Sequence, residues 1–453
     1  MISGKKIYSF LPWVVFALAV LICRLLCIHF YRDGISISWD QWEGEAIGLY
    51  PKWLAGTLGI HDLVAGHNEH RLLITRLYNL ALFYLNGNSW SIMLQVRSNA
   101  LLHVLTLAIF LYLAGREFTT WKIWVLSLVG CLVFSIPYAY ENILCGFQSQ
   151  FYFLELVSIL LLASASFLNG KNALIIVLFL AMLAPFTMAS GPLAIFVALV
   201  VLAIKLGIQH GDRTRERTTY LLILVVTVIA CLAIVLTPKV AGHDQFKARN
   251  LHQFFEALVQ VFSWPLPSNL LAAFFMEAPL VVFAYYFLTR IKKATAQEIF
   301  LFSLILWVWL QLASLAYGRA VLVWSSRYKD LYALSSVLGV TSILMMLNPI
   351  RGSKISWREI MGGLWIMIMA AGFLFSIREV MNQLEFVKKF TMEQKKSLGI
   401  YLTTGDESAL HNKTQLNMPH PDPERLKWIL SKPEYKSISD KACLDVSIPI
   451  KSH

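Results

Sequence analysis

The residues best suited to chemistry lie in one stretch. It opens Ser38-Trp39-Asp40-Gln41-Trp42-Glu43-Gly44-Glu45 and closes His67-Asn68-Glu69-His70-Arg71. A carboxylate just beyond the end of a rigid helix can act as a general base, taking the proton of a hydroxyl as that oxygen attacks a sugar carbon. Asp40 has that placement. Glu43 and Glu45 are alternative bases or solvated loop acids. Trp39 and Trp42 flank Asp40, where their rings suit either a sugar face or a membrane-interface belt, and the belt is the commoner use. His67, Glu69 and His70 have the donor types of a metal site, so a divalent metal is a possible cofactor, but one loop supplies no fourth ligand. His70 reads first as a structural hydrogen-bond partner.

Two further segments carry matching polarity. Glu141-Asn142 and Gly146-Phe147-Gln148 place amide and carboxylate groups around an aromatic ring, an arrangement that can bind sugar hydroxyls and that ordinary turn chemistry also produces. Three groups of bases complete the set: Arg71 with Arg76; Lys239, Lys247 and Arg249; and Arg319, Arg327 and Lys329. Arginine offers a planar fork to phosphate oxygens and lysine a point charge, so an anionic ligand at a membrane boundary would suit them. Lipid headgroups or local acids are the plainer partners.

The elements that must hold these residues follow from composition. Of 453 residues 57% are hydrophobic and 15% charged, with a mean hydropathy of +0.61. A soluble globular chain carries roughly 25% charged residues. The sequence is therefore that of an all-α polytopic membrane protein. Its formal charge of +12 is spread in small groups between apolar runs, the pattern of membrane topology and not of a nucleic-acid surface. The six cysteines show neither metal-ligand nor disulfide spacing.

Lys5 and Lys6 precede an apolar run from Ile7 to Phe30, long enough for the roughly 20 residues of a spanning helix. The run reads as an anchor, without the short core and small-residue cleavage site of a signal peptide. Arg24 and His29 fall near its outer end, where an arginine can snorkel to the headgroups. Further spans are expected at about 92–114, 119–137, 149–168, 172–186, 191–207, 219–237, 269–289, 298–317, 329–348 and 359–377, making eleven in all. Pro185 and Gly191-Pro192 divide the long apolar stretch from Asn172 to Gly207. Leu72 to Asn86, interrupted by Arg76 and Asn79, reads as a helix lying in the interface.

Loop charge sets the orientation. With the N-terminus inside, each inner connection receives a base, among them Lys122, Lys205, Arg217, Lys293, Arg351 and Lys354. Two short outer connections, Tyr138 to Gln148 and Thr187 to Ser190, carry none. Residues 1–377 then form the membrane domain, with long outer loops at 31–91 and 238–268. The C-terminus falls outside, and residues 378–453 form a small extracytoplasmic tail with a possible amphipathic helix at Val380, Leu384 and Val387.

The order of these motifs resembles a known family. A spanning helix, Trp39-Asp40-Gln41-Trp42, Asn68-Glu69-His70-Arg71, Glu141-Asn142 with Gly146-Phe147-Gln148, and Ser326-Arg327-Tyr328 together resemble bacterial multi-spanning glycosyltransferases of the GT-C class. The serotype-converting O-antigen glucosyltransferases are nearest in size and plan. The resemblance implies a GT-C fold in the inner membrane. It further implies transfer of a sugar from a polyprenyl-phosphate donor to an acceptor glycan or lipid on the outer face. Asp40 best matches the catalytic base of that class and Glu69 is the second choice. Glu43, His70, Arg71, Glu141, Gln148, Arg327 and Tyr328 are the expected substrate contacts. The first outer loop has no Asp-x-Asp, which separates it from the metal-binding pattern. A carrier or flippase for a lipid-linked saccharide is the alternative, and its charges should line a path through the bilayer instead of gathering at one face.

Overall fold

A computed structural model of the chain describes residues 4–37, 39–208, 213–238, 240, 242–347, 356–411 and 418–433, with side chains from residue 10 onward. Lys239, Arg351 and Lys354 lie outside the described residues. Among the described residues eleven helices occupy the positions expected of spans: α1 (Gly4–Phe30), α2 (Ile92–Gly115), α3 (Thr120–Ser135), α4 (Ser149–Phe167), α5 (Gly170–Leu183), α6 (Pro192–Ile208), α7 (Arg213–Val235), α8 (Leu270–Thr289), α9 (Ala296–Gly318), α10 (Lys329–Met346) and α11 (Trp357–Thr404). Among the described residues seven helices are long and apolar enough to cross a membrane, while Leu73–Leu85, Thr120–Ser135, Gly170–Phe186 and Pro192–Ile208 are apolar but shorter. The strands among the described residues are a two-residue antiparallel pair, Gly66–His67 with His70–Arg71.

The bundle centres on α10, in which residues 329–344 are all buried. Its small residues let neighbours approach closely, as membrane helices require in the absence of a hydrophobic drive between them. α10 packs against α3, α8 and α9, and α4 packs against α2, α5, α6 and α9. Two lysines close the far ends. Lys122 Nζ donates to the carbonyls of Leu344 and Leu347 (2.6 and 2.7 Å), and Lys205 Nζ to those of Ala165 and Leu168 (2.9 and 2.5 Å). Each satisfies carbonyls that a helix C-terminus leaves unpaired and sits at the negative end of its dipole. The turn between α5 and α6 depends on Gly191, where an added Cβ would fall 1.9 Å from the Ala184 carbonyl oxygen.

The last helix departs from expectation. Composition turns polar at Arg378, yet α11 continues without a break to Thr404, about 72 Å at 1.5 Å per residue, against a bilayer core of about 30 Å. It contains no proline, and it stops where Gly405 takes the left-handed conformation (φ 73°). Val380 and Leu384 are thus buried positions of one long helix and do not belong to a separate amphipathic element. The extension packs against the turn Arg32–Gly34, where a Cβ on Gly34 would meet Lys388 Cα at 3.1 Å. The chain then returns through Met418 and the short helix Pro423–Leu430 to cover the loop that follows α1.

Candidate functional site

Asp40 lies in a single helical turn, Trp39–Gln41, that runs into a π-helical segment, Trp42–Ile47. Segments of this kind recur at functional sites. Two sets of contacts fix the turn. From below, Glu45 is buried and receives four donors: Gln41 Nε2 (3.3 Å), Tyr50 Oη (3.2 Å) and Gln95 Nε2 (2.9 Å) on Oε2, and Asn79 Nδ2 (2.7 Å) on Oε1. From above, Trp42 Nε1 donates to the Pro419 carbonyl (3.2 Å), and Arg425 grips Glu43 with two bonds of 2.7 and 2.8 Å.

These contacts revise three expectations. Glu45 is not a solvated loop acid: burial pushes its carboxyl up to about 7, against the pull of its donors. Glu43 is engaged by the C-terminal segment and not left open to a substrate; the Arg425 hydrogen bonds hold its carboxyl below the ordinary range. Trp42, 1% exposed, is interior and not part of an interfacial belt, because its indole N–H is spent on the returning chain. Trp39, which donates to the Met418 carbonyl, is the exposed ring of the two.

Asp40 itself is left partly open. Its side chain is 43% exposed, and His67 Nε2 stands 3.3 Å from Oδ1. Burial works against its charge, but the His67 hydrogen bond and the nearby Arg327 outweigh that and hold the carboxyl below its ordinary value. Asp40 is therefore a carboxylate at neutral pH. The His67 ring packs on Phe147 (5.0 Å between centroids). Phe147 follows Gly146, where a Cβ would collide with Gln95 Oε1 at 2.5 Å and Gln41 Nε2 at 3.0 Å. The Gly146-Phe147-Gln148 motif is thus a packing joint under Asp40. Gln148 is buried and accepts from Gln150 Nε2 (3.0 Å), so it faces the interior and not a ligand.

The closing residues of the loop meet α9 and the turn before α10. Glu69 pairs with Arg319 and stands 2.7 Å from His243 Nδ1; burial opposes its charge, but its own backbone N–H and Arg319 hold the carboxyl below its ordinary value. His70 accepts from the Ala189 N–H at Nδ1 (3.0 Å), so its neutral ring carries the proton on Nε2. Burial pushes its pKa down to about 4. Arg71 donates to the carbonyls of Leu236 (3.0 Å) and Val64 (2.7 Å), and Arg76 to those of Leu63 and Ala65 (2.9 and 2.6 Å). Both arginines therefore tie the loop down before they could serve a ligand. Lys247 pairs with Asp244 on the surface.

Arg327 is the cation nearest to a working role. The Ser326–Tyr328 turn is clamped by Glu141, which accepts from Ser325 Oγ and Ser326 Oγ (2.7 Å each), the Arg327 N–H (3.1 Å) and Arg327 Nη2 (3.1 Å). Burial opposes ionisation of Glu141, yet Arg327 and the two serines bring its carboxyl down to about 2. Glu141 is thus a fixed counter-ion that aims the guanidinium, which also lies within electrostatic reach of Asp40. Tyr328 packs edge-on against Phe151 beside it.

An apolar cavity of about 470 Å³ lies beside the closing residues of the loop, Glu69 and Arg71. Met182, Phe186, Pro192, Ile229 and Leu236 line it, with Glu69 and Arg71 at its polar rim. Ala189, whose N–H donates to His70, is part of its wall. Among the described residues no three His, Cys, Asp or Glu side chains gather as a metal-holding group.

Arg24, expected to snorkel, does not: it is 3% exposed and faces Asp330 Oδ1 at 3.7 Å inside the bundle. The pairing joins residues about 300 positions apart, and the visible signal was only an arginine six residues inside an apolar run. Comparison with known proteins gives no further guide: no protein-family model matches the chain, and no curated protein matches it either.

Proposed function

We propose that the protein is an inner-membrane glycosyltransferase that moves a sugar from a polyprenyl-phosphate donor to a glycan or lipid acceptor at the outer face. The observation that carries this reading is a partly open, ionised Asp40 held by His67 and within electrostatic reach of Arg327, on a loop whose closing residues Glu69 and Arg71 line an apolar cavity. In this reading Asp40 accepts the proton of the acceptor hydroxyl as that oxygen attacks the sugar carbon. His67 orients the carboxylate, and Arg327, aimed by Glu141, stabilises the phosphate as it leaves. The cavity takes part of the donor's hydrocarbon chain. Glu69, paired with Arg319 and His243, is an organiser of the rim and second in line as base.

The eleven-span topology with an outer C-terminus belongs to the same proposal. It is supported by eleven helices at the expected positions and by the bases at the ends opposite the Asp40 cluster. A carrier of lipid-linked saccharides is the second reading, favoured by the ionisable side chains inside the bundle around Arg24. Mass spectrometry of the protein purified in native lipid decides between substrates. A co-purifying polyprenyl-phosphate sugar that is consumed when acceptor is added supports transfer. A bound donor that is never consumed supports the carrier.

A further inference from the structure

Four ionisable side chains sit inside the bundle, beneath the candidate site and outside the chemistry assigned to it. Arg24 of α1, His103 of α2, Glu155 of α4 and Asp330 of α10 are each at most 3% exposed. Arg24 Nη2 lies 3.7 Å from Asp330 Oδ1, and His103 Nε2 lies 3.3 Å from Glu155 Oε2 and 4.0 Å from Asp330 Oδ1. The Tyr152 ring stacks on His103 at 4.1 Å. Counted along their helices, Arg24 is about 9 Å and His103 about 16 Å below the helix ends that carry the candidate site.

Two features of this cluster call for a ligand. The first is charge. A guanidinium stays charged, and Asp330 answers it. An ionised Glu155 beside a neutral His103 would leave an uncompensated negative charge buried among the helices, away from bulk solvent, which is unfavourable. One proton held on either His103 or Glu155, whose nitrogen and oxygen lie 3.3 Å apart, restores neutrality. The second feature is unmet hydrogen bonding. Arg24 Nε and Nη1, both ring nitrogens of His103 and Glu155 Oε2 make no hydrogen bond within the protein. Buried polar atoms of this kind are satisfied by ordered water.

The unmet atoms continue towards the surface. Asn99 stands one turn from His103 on α2 and donates to the Gly146 carbonyl (2.9 Å), leaving its Oδ1 unbonded. Asn142 donates to Asp330 Oδ2 (2.9 Å) and to the Arg327 carbonyl (2.8 Å), and its Oδ1 is likewise unbonded. We propose that this column is a water-filled proton-binding site, in which His103 and Glu155 hold one exchangeable proton that arrives from the candidate-site side past Asn99 and Asn142. The other charged and titratable groups around the pair are Arg24, Asp330 and Tyr152, with Cys27 of α1 and Tyr138 between α3 and α4 within electrostatic reach of Arg24. The inference does not rest on the transfer reaction.

The test uses the full-length protein in lipid nanodiscs at pH 7. Infrared difference spectra read the carboxyl, and nitrogen NMR of labelled histidine reads the ring, for wild type, Glu155→Gln and His103→Gln. The expected result is either a protonated-carboxyl band lost in Glu155→Gln or an imidazolium resonance lost in His103→Gln, with exchange into deuterated buffer within minutes. A carboxylate beside a neutral ring overturns the proposal, as does a proton that fails to exchange over days. Should both variants fail to insert, deuterium exchange of the wild-type carboxyl and imidazolium signals decides alone, by the same two outcomes.

Discussion

Replacing Glu45 with glutamine separates the buried acid from its charge while keeping its shape. In the wild type three donors reach Oε2 and one reaches Oε1. The glutamine amide is least disruptive with its nitrogen at the Oε1 position, where it confronts only Asn79. One bond is then lost and donors on both side chains are left unpaired, which costs about 1–3 kcal/mol. The pH dependence runs the other way. Glu45 has a folded pKa of about 7 against an ordinary value of 4.5, so the native state holds more protons than the unfolded state between those limits. Stability from this group is therefore fully present below about pH 4.5 and declines as pH rises to about 7. Between pH 5 and pH 8 the loss amounts to about 2–3 kcal/mol. Glu45→Gln has no such loss. Thermal unfolding in detergent at both pH values is the assay: the variant is expected to be the less stable at pH 5 and to draw level with or exceed wild type at pH 8. A stability gap that does not change with pH would refute the argument that Glu45 is a desolvated, titrating acid.

Other expectations follow from the contacts around Asp40. Arg327→Ala should reduce transfer strongly while Arg327→Lys recovers part of it, because lysine lacks the planar fork; equal rates for all three forms would remove Arg327 from the reaction. Glu43→Arg and Arg425→Glu should each loosen the C-terminal cover, by up to about 1 kcal/mol since both side chains are 39% exposed, and the double exchange should restore it, as read by limited proteolysis. A reporter active only outside the cytoplasm should work when fused after Lys389 and fail after Arg217, and the reverse pattern would invert the proposed topology.

What was legible in the sequence was whatever depends on local pattern. Apolar length located ten of the eleven helices to within about six residues and the start of α11, and Pro185 with Gly191-Pro192 marked the α5–α6 turn. The end of α11 was misjudged because polarity was taken as a helix boundary. Polarity can end a membrane-spanning stretch, but proline or a left-handed glycine ends a helix, and none intervenes before Gly405. Pairings across the fold were hidden for a different reason. Glu43 finds Arg425, Glu69 finds Arg319 and Arg24 finds Asp330, each separated by hundreds of residues, and residue type alone cannot distinguish a paired charge from a free one. The motif around Asp40 was visible as a cluster of polar and aromatic residues, but its division into one open acid and two engaged ones was not.

That division is the centre of the account, and Asp40 tests it most directly. A positioned carboxylate that accepts the hydroxyl proton contributes roughly a hundredfold to ten-thousandfold in rate. Asp40→Asn keeps the size and one acceptor oxygen for His67 but loses basicity. Transfer of sugar from a polyprenyl-phosphate donor should be measured with purified protein alongside donor binding, for Asp40→Asn, Glu43→Gln and Glu45→Gln. The account expects Asp40→Asn to lose transfer by at least about a hundredfold with donor binding intact, and the other two to have smaller effects. Near-normal turnover by Asp40→Asn would contradict it and pass the role of base to Glu69.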